Sequence, residues 1–285
     1  MARRKGFHVM DMIGARDRFA ALALRPDDRI DVAEGALLIA QEEYPQLDIG
    51  AYLHRLDELA VAARSRVQAG VPAAEQIAQL NAFLFVERGF AGNSDNYYDP
   101  RNSYLNEVLD RRTGIPISLS LVYSEVAQRL DLPVYGVSFP GHFLVKHVGD
   151  PEIIIDPFFG IIITHEECAH RLQAIYGSQA HFEPRLLHPA GAREILARML
   201  SNLKQIYVDA ADFDHALACV DRILLLDPDQ PRELRDRGIL YQRLECYAAA
   251  LRDFNRYLKL APDDEAAALI RKTLPDLQRQ AAMLQ

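Results

Sequence analysis

The chain has 285 residues, 49% hydrophobic and 25% charged, with a formal net charge of −8 from 32 Lys and Arg against 40 Asp and Glu. These proportions give one large or two ordinary domains with enough apolar side chains for a core, and they exclude a disordered tail or a collagen. The acidic balance opposes the basic face of a nucleic-acid binder, and three cysteines at 168, 219 and 246 without a CxxC pair exclude a disulfide framework or a Cys-rich zinc module and fit a reducing cytoplasm.

The basic start, Met1 to Lys5, is like the opening of an export signal, but Asp11, Arg16, Asp17 and Arg18 interrupt the stretch where its apolar run would lie, so none is read. The longest strongly apolar runs, residues 153–155 and 161–163, fall far short of the roughly 20 residues that span a bilayer. A cytoplasmic chain with no membrane partner is expected. Residues 1–90 read as helices. Asp31-Val32-Ala33-Glu34 has capping-box spacing, and Val32, Ala36, Ile39 and Ala40 then recur at helical intervals until Tyr44-Pro45. Asp48 caps a second helix with Tyr52, Leu56, Leu59 and Ala63 on one face, and a third covers residues 72–87 with Gly89 as its stop.

Residues 92–106 change to Gly, Asn, Asp, Pro, Ser and Tyr, which is loop chemistry. A short helix over 104–112 ends at Thr113-Gly114, and Pro116 sits in the first turn of the next, whose stripe is Leu119, Val122, Val126 and Leu130. Three β-rich pieces come next, 134–139, 142–148 and 153–156, separated by Pro140-Gly141 and Gly149-Asp150-Pro151. They predict a small antiparallel sheet, to which 160–163 offers a fourth strand. Thr164-His165-Glu166-Glu167 opens another helix that Gly177 can end, and residues 182–191, with Pro184 and Pro189, are the linker candidate.

Beyond the linker the chain is helical and periodic. Tyr207 and Tyr241, Ala216-Leu217 and Ala250-Leu251, Val220 and Phe254, Ile223 and Tyr257, Leu226 and Leu260, Asp227-Pro228 and Ala261-Pro262 all stand 34 residues apart. That is the tetratricopeptide period of helix-turn-helix units. Two units, 195–228 and 229–262, and a last helix from Asp264 are few for an independent solenoid, so the array is expected to dock on the preceding domain.

The chemistry-bearing runs are Asn102-Ser103-Tyr104-Leu105, Thr113-Gly114-Ile115-Pro116-Ile117-Ser118-Leu119-Ser120, Phe139-Pro140-Gly141-His142-Phe143-Leu144-Val145 and Ile155-Asp156-Pro157-Phe158. A nucleophile at a helix start gains from the helix dipole; a His on a neighbouring strand takes its proton, and an Asp orients the imidazole. His142 and Asp156 fit the last two roles. The same pair also fits a non-catalytic tie between two strands, or a ligand-binding site.

This order of helix, His strand and Asp-Pro strand resembles the transglutaminase-like branch of the papain-type cysteine-enzyme superfamily, whose motif is Gly-x-Cys at the helix start, then His, then Asp. More closely, the four runs and the repeat tail resemble the bacterial SirB family of transglutaminase-like proteins, labelled regulators of SirC expression. The resemblance implies an α+β fold with a papain-like, transglutaminase-like core. That core covers residues 1–185, helical over 1–90 and helix plus antiparallel sheet over 91–185, with tetratricopeptide-like helical repeats over 190–285. It also places Gly-x-Cys on Gly114-Ile115-Pro116, so Pro116 stands where the thiol would be, while His142 and Asp156 match the family's His and Asp.

Cys168 comes after the Asp strand, in the wrong motif order for a nucleophile. Ser118 is a candidate nucleophile one turn into the helix, or else the cap of a free amide there, with Ser120 a small packing residue. His165, Cys168 and His170, with Glu166 and Glu167, fall on two faces of a helix rather than around one tetrahedral metal site. Tyr97, Tyr98, Asn102, Tyr104 and Pro116 are candidates for the wall of a cleft, although Asn and Asp in such a loop also satisfy turns internally. The expected function is a non-catalytic protein that binds a peptide or protein partner in regulation, without cofactor, metal or nucleic acid. The alternative is a serine-type hydrolase or acyl-transfer enzyme using Ser118, His142 and Asp156 on a peptide or amide.

Overall fold

A computed structural model describes residues 14–283; the basic start at residues 1–5 lies outside the described residues. Two compact units divide the chain, residues 1–199 and 200–285, and the division falls inside a helix.

The first unit opens with α1 (Ala15–Ala23), α2 (Val32–Glu43) and α3 (Ile49–Arg64). The two expected aspartate caps form: Asp31 Oδ1 accepts from Glu34 N at 2.8 Å, and Asp48 Oδ1 from Ala51 N at 3.1 Å. The third predicted helix is α4 (Ala73–Asn81), which widens into a π-helical stretch, Ala82–Glu87, before Gly89 ends it at φ +72°. A two-residue strand, β1 (Ala91–Gly92), pairs in parallel with β2 (Thr113–Gly114). This pairing joins the two ends of the loop that contains α5 (Leu105–Arg111), and α6 (Pro116–Arg129) starts directly after β2.

Beyond α6 lies a four-stranded antiparallel meander: β3 (Val134–Val137), β4 (Leu144–His147), β5 (Ile153–Asp156) and β6 (Ile161–Ile163). The His strand begins two residues later than the sequence indicates. His142 N donates to Phe139 O at 3.0 Å and Gly141 stands at φ +72°, so His142 closes a turn ahead of β4. α6 packs against β3 and β4. Strand alternation sends Val137, Leu144, Ile154 and Ile163 to a shared core with Cys168 and Leu172 of α7 (His165–Tyr176). Asp156 has the parity of Ile154 and therefore points toward α7 as well. The linker candidate is packed rather than free: Leu187 is buried in that core, and Ala190 N donates to Gly136 O at 2.8 Å, covering the edge of β3. Phe182 and Leu186 pack against the same core.

The helix α8 (Ala192–Asp209) leads into the second unit, with α9 (Phe213–Leu226), α10 (Pro231–Arg243), α11 (Tyr247–Leu260) and α12 (Ala267–Met283). The period holds in the backbone as well as the side chains. Ala211 and Glu245 are both left-handed, at φ 57° and 58°, and the next amide in each case donates back at 2.8 Å, Asp212 N to Tyr207 O and Cys246 N to Tyr241 O. Among the described residues no helix is long and apolar enough to cross a membrane.

Lys204 in this unit is buried together with Glu233. Lys204 Nζ donates to both oxygens of Glu233 at 2.9 and 2.8 Å and to Asp236 Oδ2 at 2.9 Å. Lys204→Ala leaves the Glu233 carboxylate buried without its cation, and a loss of about 3 kcal/mol is expected from the urea transition of the helical array. A loss below about 1 kcal/mol, the range of an exposed pair, would contradict this arrangement.

Candidate functional site

The site is built where the β5–β6 turn meets α7 and the turn before β4. Asp156 ends β5 with no solvent exposure, so its carboxylate needs internal partners. It has three. His142 Nε2 lies 3.0 Å from Oδ2, the Arg171 guanidinium of α7 donates to the same oxygen, and Phe158 N donates to Oδ1 at 3.0 Å. Burial pushes the Asp156 carboxyl up, but the hydrogen bonds and charges of His142 and Arg171 outweigh it and hold the group below the ordinary carboxylate value. The pair expected from the sequence is therefore in contact, and Arg171 makes it a triad of a different kind.

Phe158 extends the site toward α6. Its ring stands edge-on to His142 at 6.4 Å and to Tyr97 at 6.0 Å, and Tyr98 packs edge-on against Tyr97 at 5.3 Å. A Cβ on Gly92 would meet the Phe158 ring at 2.5 Å, so this glycine makes room for the ring beside β1. Asn93 N donates to Gly114 O at 2.9 Å, which fixes that corner to the residues just before α6. Tyr97 and His142 thus share an aromatic neighbour. Burial first, and Tyr98 second, push the Tyr97 phenol up, so it stays a protonated donor at neutral pH.

At the helix start the hydroxyl of the first turn, Ser118, is engaged by the backbone. Pro116 is the first residue of α6 and is buried. Ser118 Oγ accepts from Ile115 N at 3.1 Å and donates to Asn102 O at 2.6 Å. A hydroxyl has one proton, and here a backbone carbonyl takes it; no hydrogen bond joins Ser118 to His142 among the described residues. A Cβ on Gly114 would meet Ser118 Oγ at 2.6 Å, so the glycine of the Gly-Ile-Pro-Ile-Ser run is what lets this hydroxyl fold back on the chain. Ser120 is fully buried and its Oγ has no partner.

The loop residues divide by role. Asn102 Nδ2 donates to Asn96 O at 2.7 Å and Tyr97 O at 3.2 Å, and its Oδ1 accepts from Asn93 Nδ2 at 3.1 Å, so Asn102 pins the loop from within. Tyr104 is buried ahead of α5 and packs edge-on against Tyr44 at 5.7 Å. Only Tyr97 and Tyr98 of this set reach the aromatic corner. Cys168 is buried in the sheet core, and burial pushes its thiol up to about 11, away from thiolate chemistry. His165 is exposed, with Nε2 3.1 Å from Glu152 Oε1, and no metal-binding group of three or more ligands occurs among the described residues.

Arg171 was not singled out in the sequence. The available signal was its place three residues after Cys168 and one before Leu172, on the face of α7 that the apolar pattern turns toward the sheet.

Residues 50–201 match the model of the transglutaminase-like superfamily, and residues 203–275 match a tetratricopeptide-repeat model. A UPF0162 protein of Xylella fastidiosa strain Temecula1 is 42% identical over 91% of this chain and 94% of its own length. One from Vibrio cholerae is 32% identical over 86% and 91%, and the UPF0162 protein YchA of Escherichia coli K12 is 28% identical over 90% and 96%.

Because the Asp156 pKa in the fold lies below the unfolded carboxyl value of about 3.9, its contribution to stability is complete above that value and disappears as pH falls through the folded pKa. Arg171→Met keeps the aliphatic stem and removes the charge. A loss of about 2–3 kcal/mol at neutral pH is expected, together with a flatter fall in stability on acidification, measured by urea denaturation from pH 7 to pH 3. Identical stability and an identical acid limb in the two proteins would remove Arg171 from the site.

Proposed function

Because this chain belongs to the UPF0162 family of the transglutaminase-like superfamily and carries tetratricopeptide repeats, we propose that it is a non-catalytic binding protein for a peptide or protein partner. The observation that carries this reading is the state of the helix start. Pro116 occupies the family's thiol position, and the nearest hydroxyl, Ser118, gives its proton to Asn102 O. Among the described residues His142 has the orienting Asp156 and no hydrogen bond to a nucleophile, and Arg171 draws the same carboxylate into an ion pair. Such a pair holds the turn before β4 and presents an imidazole edge beside Phe158 and Tyr97, which suits recognition. Repeat arrays of stacked helix pairs supply extended surfaces for partner chains. The resemblance to the SirB family supports a regulatory role, and the free cysteines support the reducing cytoplasm as its compartment.

The serine-hydrolase alternative needs Ser118 released from Asn102 and turned to His142. Purified protein is treated with a fluorophosphonate and with iodoacetamide, and modified residues are mapped by mass spectrometry. Exposed Cys246 is expected to alkylate, while Ser118 and Cys168 stay unlabelled in both the wild type and His142→Ala. Stoichiometric labelling of Ser118 that disappears in His142→Ala would replace the binding reading with an enzymatic one.

A further inference from the structure

Away from His142, a cavity of about 190 Å³ in the first unit is lined by Arg55, Glu58, Leu59, Arg88, Phe90, Leu109 and Arg112. Three guanidiniums around one small space are unexpected in a chain of net charge −8, because like charges repel unless something negative stands between them. Arg55 has its own acid: it pairs with Asp110, and its Nη2 donates to Leu109 O at 3.1 Å. Tyr52 Oη also donates to Asp110, at 2.7 Å.

Arg88 and Arg112 have no such partner. Arg112 Nη1 donates to the Arg88 backbone carbonyl at 3.0 Å, and the Arg88 guanidinium lies over the Phe83 ring at 4.9 Å. No carboxylate stands at ion-pair distance from either among the described residues. Arg88 Nε is shut off from solvent and has no acceptor at all, although buried donors in native proteins are nearly always paired. Glu58 is the single acid in the lining; it is well exposed and lies 3.4 Å from His54.

We infer that this cavity binds a phosphate group. Two guanidiniums without acids match the two negative charges of a phosphate monoester, and their planar forks suit its oxygens. Arg88 Nε is closed to solvent and stays outside this contact; the terminal N–H groups of Arg88 and Arg112 are its donors. The volume is below the roughly 300–1,000 Å³ of pockets for drug-sized ligands, so the site takes a phosphate with a small substituent rather than a nucleotide. Leu59, Phe90 and Leu109 give that substituent an apolar wall.

The test is calorimetric titration of the full chain with inorganic phosphate and with phenyl phosphate, at ionic strength held constant with chloride. Saturable binding of one equivalent is expected for both. Tighter binding of phenyl phosphate, by roughly threefold or more, assigns the apolar wall to a substituent, and equal affinities assign the site to phosphate alone. Arg112→Gln, at an exposed position, is expected to weaken binding about tenfold or more. Glu58→Gln is expected to tighten it, a gain that a merely destabilised protein does not produce. The proposal is overturned if phosphate shows no saturable binding, if Arg112→Gln leaves the affinity unchanged, or if Glu58→Gln weakens it.

Discussion

The buried carboxylate of Asp156 is the constraint on which the centre of this molecule depends. An isolated ionised carboxylate in the interior costs several kcal/mol, so the fold holds only if both oxygens are served. Each donor comes from a different part of the chain: His142 from the turn before β4, Phe158 from the turn after β5, and Arg171 from α7. The demand of one side chain therefore sets two turns and the placement of one helix. Gly141 and Gly160, both at positive φ, flank these donors because the turns that deliver them need backbone conformations that other residues rarely adopt. Gly160 N closes its turn by donating to Asp156 O at 2.8 Å, so residue 156 is tied through its backbone as well.

The start of α6 is organised by a second constraint that pulls against chemistry. A helix N-terminus leaves amides without partners, and the chain can meet that need from inside or from a ligand. At α6 Pro116 has no amide to satisfy, and Ser118 takes the amide of the preceding Ile115 while tethering the helix to Asn102. Asn102 in turn holds the loop that carries Tyr97. The features that would make this corner reactive in an acyl-transfer enzyme are used here to fix a loop beside His142.

Much of this was legible in the sequence because it is local. Asp31, Asp48 and the Thr164–Glu167 box announce helix starts within a four-residue window, and the formed hydrogen bonds agree. The four-stranded meander is written in short apolar runs between Gly and Pro turns. The contact between His142 and Asp156 came from the family resemblance, and its geometry rests on strand pairing. What escaped were interactions that depend on register. Whether Asp156 faces α7 or α6 is decided by the parity of β5, and only that parity reveals Arg171 as its partner. The two-residue pairing of β1 with β2 is too short to leave a pattern, and Ser118 to Asn102 spans 16 residues of intervening loop and helix.

The repeat array shows how far a period constrains an interior. Its turns recur as backbone: Ala211 and Glu245 adopt the same left-handed conformation although neither is the glycine that position favours. The helix faces are kept less strictly. In the second repeat Phe254 packs so closely on Gly238 that a Cβ there would meet its ring at 2.5 Å. The positions 34 residues earlier are Val220 and Lys204, a smaller side chain at one and a larger at the other. Close-packed interiors tolerate such reciprocal changes better than either change alone. Lys204, once buried, requires Glu233, so a buried charge and its partner stand at one position of the period and not at its equivalent, Gly238. The two repeats therefore share a backbone frame while differing in how their interiors are filled.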